Sequence, residues 1–206
     1  MACTVVTVSR TLAAGGEEIG RAVAQELGFR YVDEEIIIRA AEKAGVSPQN
    51  VSEREHDPGI IKRILQAWAR TPPSEQGVVF RGIVGEARSA YQALIVRVIR
   101  EIGAEGGVVI VAHAASVPLS GMKGLLRSFI TAPRETRVSR LVRESKMAEA
   151  EARKAVEESD RQRREYLRRF YDVSEELPTH YDVVLNTDTL PIPVASQLLI
   201  AAARAL

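Results

Sequence analysis

The residues best suited to chemistry cluster in "VTVSRTLAAGGEEIG", Val6 to Gly20. A β-branched run ends at Arg10. Small residues follow (Ala13, Ala14, Gly15 and Gly16), and two acids, Glu17 and Glu18, open an amphipathic segment. Consecutive backbone N–H groups around small residues form a concave nest for an anion, and the positive end of the following helix reinforces it. Small side chains also let the backbone approach a ligand closely. The chemistry on offer is phosphate binding. Against the pattern G-x-x-x-x-G-K-S/T, Arg10 takes the first glycine position and Gly15 the second. Gly16 then falls on the lysine and Glu17 on the hydroxyl residue. With no lysine in place, Arg10 is the candidate cation, because a guanidinium forks onto phosphate oxygens. The alternative is an Arg10 paired with Glu17 or Glu18, in a strand-to-helix turn that holds no ligand.

A second group of cations lies in "ESDRQRREYLRR". Arg161, Arg164 and Arg168 fall at i, i+3 and i+7 and so share one helical face, while Arg163 points elsewhere. Pairing with Glu157 or Asp160 would make this an ordinary solvated face. No strongly apolar residue lies between Val156 and Tyr166, so that span is not deeply buried and suits a segment that opens and closes. Asp33 ends a strand, at the edge where ligands gather in parallel α/β proteins, and is equally placed to cap the next helix. His113 stands at another strand end, as a donor to a ligand or as a structural hydrogen-bonder.

These residues need a frame, and the chain supplies one. "TVVTVS" reads as a buried strand. Ile19, Val23, Ala24 and Leu27 recur at helical spacing and Gly28 stands where a C-cap glycine belongs. "FRYVD" is a second strand, followed by the helix "EEIIIRAAEKAG". Strand, helix, strand, helix within the first 45 residues predicts a parallel α/β sheet. After a polar connection, helices are expected over about Ile60 to Ala69 and Phe80 to Ile102. "GGVVIVAHAA", "LLRSFITAP" and "YDVVLNT" read as further strands, with a charge-dominated helical stretch from Arg134 to about Phe170 and a closing helix from "PIPVASQLLIAAARAL".

The totals bound the function. The 206 residues suffice for one core domain with an insertion, without disulfides or a structural metal. An apolar fraction of 46% and a charged fraction of 27% are ordinary for a globular chain. A net charge of +1 argues against nucleic acid or an acidic membrane as partner, so any anion site must be local. The single cysteine, Cys3, excludes an internal disulfide and a cysteine-rich zinc site, and fits a cytoplasmic setting. No His and Cys cluster offers a metal site.

The blocks "VSRTLAAGGEEIG", "LGFRYVDEEII", "GVVIVAHAA", "FITAPRETRVSRL", "SDRQRREY" and "YDVVLNT" together resemble the P-loop nucleoside monophosphate kinases, most closely the cytidylate-kinase-like family. The resemblance implies a five-stranded parallel sheet flanked by helices. It implies a core over 1–45, 105–147 and 180–206, a helical acceptor-binding insertion over about 46–104 and an arginine-bearing lid over about 148–172. It also implies phosphoryl transfer from ATP, with magnesium brought by the nucleotide, to a nucleoside monophosphate, foremost CMP or dCMP. On that reading Arg10, residues 13–18 and Arg137 hold the donor, while Arg161, Arg164 and Arg168 close over the transferring group, whose charge they stabilise. Arg140 approaches the adenine or the phosphates. Asp33, Arg39 and His113 meet the acceptor, with Arg54, His56, Arg63, Arg81 and Arg88 as further candidates, and Trp68 is a packing residue. The family often carries a lysine-free "SRQxGSGGREIG" loop. Here Ala13 stands for its glycine and Glu17 for its arginine, and Ala112 and His113 replace the glycine and arginine of "VIVGRGA". A nucleotide- or anion-binding regulator without turnover, and a kinase for another small acceptor, are the alternatives. Monomer and homodimer are both open.

Overall fold

Short β-branched runs separated by glycine-ended amphipathic segments fold as that alternation predicts. The computed structural model describes residues 2–33, 36, 39–40, 87–111 and 114–206, with the backbone alone over 87–91. Contacts divide the chain into two units, residues 1–32 with 105–206, and residues 33–104. In chain order the elements are β1 (Val5–Arg10), α1 (Gly16–Leu27), β2 (Arg30–Val32), α2 (Ala87–Glu105), β3 (Val108–Ile110), β4 (Leu125–Thr131), α3 (Arg134–Ser145), α4 (Glu149–Tyr171), β5 (Val183–Asn186) and α5 (Ile192–Ala205). All but α2 belong to the first unit.

The five strands form one parallel sheet in the order β2-β3-β1-β4-β5. Val5 is level with Val108 on one side and Leu125 on the other. β1 is therefore central, and its residues from Val5 to Ser9 are all buried, as a strand covered on both faces must be. β4 instead alternates, burying Leu126, Ser128 and Ile130. From β1 the chain passes through α1 to β2 on one side of the sheet, whereas β4 and β5 lie on the other. The carboxyl end of β1 is thus the point where the strand order reverses, the place where open α/β sheets form their ligand crevice.

α1 packs on the sheet through Ile19, Val23 and Ala24. Gly20 is required there, since a Cβ would come within 2.7 Å of a Val111 methyl. α5 covers the same core with Ala195, Leu199, Ile200 and Ala203. Each fully buried aliphatic side chain contributes about 1.5–3 kcal/mol, so this shared cluster is the main source of stability. The charged stretch after β4 divides into α3 and α4 at Lys146, which adopts the left-handed conformation at φ 52°. Neither glycine nor proline marks that break in the sequence. Val138, Ala152 and Val156 form a small apolar cluster between the two helices. In the second unit, Leu94, Ile95, Val98, Ile99 and Ile102 of α2 are buried. The predicted helix at Ile60 to Ala69 and most of the expected insertion lie outside the described residues.

Arg127 of β4 and Asp182, just before β5, make a two-armed pair at 2.7 and 3.1 Å, and the Arg127 backbone N–H donates to the same carboxylate at 2.8 Å. Hydrogen bonding from the Arg127 side chain is the main cause that holds the Asp182 carboxyl below its ordinary 3.8. A depressed carboxyl contributes stability above its unfolded-state pKa and loses it as pH falls through the folded value. Asp182→Asn should lower the melting temperature near neutral pH and lower it by less at about pH 3, below the carboxyl's ordinary value. An equal drop at both pH values would refute the linkage.

Candidate functional site

The loop at the switch point is built from its hydrogen bonds. Thr11 N–H donates to Ile130 O at 3.1 Å, and Ala14 N–H closes a four-residue turn onto Thr11 O at 3.1 Å. Within the turn Ala13 has φ +60° and Gly15 has φ +81°, both left-handed. A non-glycine residue pays roughly 1–2 kcal/mol in that region, which explains why glycine suits position 13. Gly15 is the N-cap of α1, and the first helical bond runs from Ile19 N–H to Gly15 O at 3.0 Å. No side chain caps the helix. The N–H groups of Gly16, Glu17 and Glu18 consequently have no acceptor within the helix. The two glycines are also required by space: a Cβ on Gly15 would lie 2.1 Å from Ile192 Cδ1, and one on Gly16 2.6 Å from Arg10 Cβ.

The loop carbonyls are held from behind. Arg163 of α4 donates to Arg10 O at 3.1 Å. Arg140 of α3 donates to Ala13 O at 3.1 Å, to Thr187 Oγ1 at 3.0 Å and to Thr187 O at 2.5 Å. The Thr187 hydroxyl, at the end of β5, donates in turn to Ala14 O at 2.9 Å. In a trans peptide the carbonyl and the next N–H point in opposite directions. With Ala14 O turned towards Thr187, Gly15 N–H is turned away from it. A surface of outward N–H groups at a helix start can hold a phosphate without any side chain.

Arg10 does not stand open. Its Nε and Nη2 donate to Glu17 Oε1 at 2.8 and 2.6 Å, and its Nη1 donates to Val111 O at 2.5 Å. The pairing alternative raised for Arg10 is thus the state of the ligand-free protein. Glu17 is 60% exposed, so solvent screens the pair and it contributes no more than about 1 kcal/mol.

On α4, Arg161, Arg164 and Arg168 are all exposed. Arg161 is held by Glu158 at 2.6 Å and Glu165 at 3.1 Å, whereas Arg164 and Arg168 make no ion pair or hydrogen bond among the described residues. The opposite side of the helix is anchored. Arg163 forks onto Glu176 at 2.8 and 2.5 Å and lies over the Phe129 ring. Glu176 also accepts the Tyr181 hydroxyl, whose phenol is pushed up to about 12 by burial and then by the Glu176 charge. Arg137 is buried and closed in a bidentate pair with Asp160 at 2.9 and 2.7 Å, with a further bond to Ala132 O at 3.0 Å. It ties α3 to α4, and none of these bonds reaches the loop.

Asp33 follows β2 directly and is half-buried, as is Arg39; both belong to the second unit. His113, Arg54, His56, Arg63, Trp68 and Arg81 lie outside the described residues, as does the side chain of Arg88. The sequence reading set Arg163 aside and named Arg140 only as a phosphate or adenine contact. It passed over Thr187, whose one signal was its place at the carboxyl end of the last strand, level with the loop. Among the described residues no group of three His, Cys, Asp or Glu side chains could hold a metal, and no helix is long and apolar enough to cross a membrane.

A parallel sheet in this order, with a glycine-ended loop opening a helix at the switch point, defines the P-loop kinase fold. The chain belongs to the cytidylate kinase-like family, whose model matches residues 5–189. Solved structures agree on the fold. An uncharacterized protein from Eubacterium ventriosum superposes with a TM-score of 0.66 at 14% identity, over 98% of this chain and 99% of that one. Shikimate kinase from Bacteroides thetaiotaomicron gives 0.53 at 14% identity, over 97% of each chain. A gluconokinase from Sinorhizobium meliloti gives 0.52 at 12% identity, over 98% of this chain and 94% of that one. No curated protein sequence matches the chain.

Gly15→Val tests the loop geometry itself. The left-handed backbone and the contact with Ile192 should together lower stability by about 2 kcal/mol or more, read by chemical denaturation. An unchanged midpoint would show that the turn is not as described.

Proposed function

We propose that the protein transfers a phosphoryl group from ATP to a nucleoside monophosphate, with CMP or dCMP as acceptor. The observation that carries this reading is the amide-lined loop at the switch point of a chain in the cytidylate kinase-like family. The N–H groups of residues 15–18 hold the donor phosphates, and Arg10 exchanges Glu17 for phosphate oxygens when nucleotide arrives. Magnesium arrives with the nucleotide and would neutralise charge on its phosphate oxygens. Arg164 and Arg168, which make no ion pair among the described residues, and Arg161 after release from Glu158 stabilise the charge that spreads over the transferring group. Asp33, Arg39 and His113 orient the acceptor.

The decisive measurement is ADP formation from ATP and magnesium with a panel of acceptors. CMP or dCMP should be phosphorylated in preference to AMP, UMP, shikimate and gluconate. A preference for shikimate or gluconate would move the protein to another acceptor class on the same fold. Binding of nucleotide without turnover on any acceptor would favour a regulatory anion-binding protein, the reading that the neutralised Arg10 supports.

Two substitutions test the parts. Arg164→Ala together with Arg168→Ala should lower kcat by about 10² or more, as expected for cations that act in the transition state. Stability should stay within about 0.5 kcal/mol, because both side chains are exposed and unpaired among the described residues. Glu17→Gln should free Arg10 and tighten ATP binding by up to about fivefold, the worth of a half-exposed ion pair. Weaker binding by Glu17→Gln would instead make Glu17 a ligand of the bound metal.

A further inference from the structure

We infer that Thr187, held in place by Arg140, is a positioning residue that fixes the Ala14–Gly15 peptide, turning its carbonyl away so that the Gly15 amide faces an anion. The inference rests on the nucleotide-binding reading and assigns these two side chains a part that no phosphate contact describes.

The pattern runs along the loop without a break except at Leu12. Arg10 O accepts from Arg163, Thr11 O from Ala14 N–H, Ala13 O from Arg140, Ala14 O from Thr187, and Gly15 O from Ile19 N–H. Two of these bonds are local to the turn and helix start. The other three come from α4, α3 and the residue after β5, 127 to 173 residues away. In the Arg10–Thr11 and Ala13–Ala14 peptides the N–H already donates to Ile130 O and Thr11 O, so Ala14–Gly15 is the held peptide whose amide has no acceptor among the described residues.

The need for such a lock follows from the glycine. A peptide unit reverses its direction when ψ of one residue and φ of the next turn together, and glycine accepts φ of either sign. The Ala14–Gly15 peptide is therefore the weak point of the nest. Reversed, it would place a carbonyl oxygen where a phosphate oxygen must sit, turning an attractive contact into a repulsive one. Thr187 prevents this by donating to Ala14 O at 2.9 Å, nearer than its other acceptor Thr131 O at 3.3 Å, while accepting from Arg140 at its own Oγ1. Arg140 has a planar fork, and one guanidinium reaches Ala13 O, Thr187 Oγ1 and Thr187 O together. Lysine keeps the charge but lacks that fork. The arginine thereby also holds Ala13 in its left-handed conformation.

The test compares Thr187→Val, Thr187→Ser and Arg140→Lys for binding of magnesium-ADP by calorimetry. Relaxation and hydrogen exchange of the Gly15 amide are measured in the ligand-free proteins. Thr187→Val and Arg140→Lys should each raise the dissociation constant by about tenfold or more, the loss expected for one hydrogen bond to a charged group, and should loosen the Gly15 amide. Thr187→Ser keeps the hydroxyl and should stay within about twofold. If Thr187→Val and Arg140→Lys lower only the melting temperature, with affinity and the Gly15 amide unchanged, the two residues are structural and the inference is wrong. If Arg140→Lys alone is neutral, Arg140 acts by charge, which also overturns the lock. If the wild type binds no magnesium-ADP, the nucleotide reading fails. The lock is then judged on Gly15: an amide as ordered in Thr187→Val as in the wild type overturns it.

Discussion

A backbone amide can hold a phosphate only while its peptide is kept from turning over, and the rest of this fold serves that constraint. The sheet order places the end of β1 between β3 and β4, so the loop after it is flanked by strand ends rather than by solvent alone. β4 lends Ile130 O to Thr11, and β5 delivers Thr187 beneath Ala14. The Arg127–Asp182 pair couples those two strands at their amino ends. Bonds that fix a loop are only as stiff as the elements they come from, and β4 and β5 share one buried core with α1 and α5.

The fold was legible in the sequence because its signals are local. β1 is a β-branched run, α1 is bounded by small residues and Gly28, and β5 is a short apolar strand before a turn; each is recognised from within ten or so neighbours. The boundary between α3 and α4 was less visible, since Lys146 breaks the helix by backbone conformation without the glycine that usually announces it. The small residues of the site were equally legible, because positions 13 to 16 reveal their need for space by their composition. The residues that orient them were not. Arg140, Arg163 and Thr187 reach the loop across more than a hundred residues, and their neighbours Arg137 and Arg161 look the same in a list of charges. What separates Arg140 from Arg137 is the end of the Asp160 pair on one and the loop carbonyl on the other. Helical spacing gives a direction within one helix; it does not say what lies in that direction.

The arginines of the chain accordingly divide by partner rather than by position. Arg137 and Arg163 are half-buried or buried and bound to carboxylates, so their charge is compensated where they stand. Removing Asp160 or Glu176 would leave a cation without its counter-ion in a poorly solvated place, and this makes them anchors of α4 rather than movable groups. Arg164 and Arg168 on the other side of the same helix carry no such tie among the described residues. One helix can therefore keep its inner face on the core and present free charge outward, without the sparse apolar content of its middle turns making it loose.

Glu17 shows how a loop without lysine balances its charges. An acid in the first turn favours the helix by about 0.3–1 kcal/mol, and the same dipole that favours it would favour a phosphate. On the proposed reading Glu17 and an incoming phosphate are rivals for one positive pole, and Arg10 sits on Glu17 in the ligand-free protein. Because the pair is exposed, breaking it costs little. The loop therefore lacks the fixed charge of a lysine and keeps a geometry set in advance, and on the proposed reading its grip on an anion depends on the direction of the Ala14–Gly15 peptide and the amides that open α1 more than on any single cation.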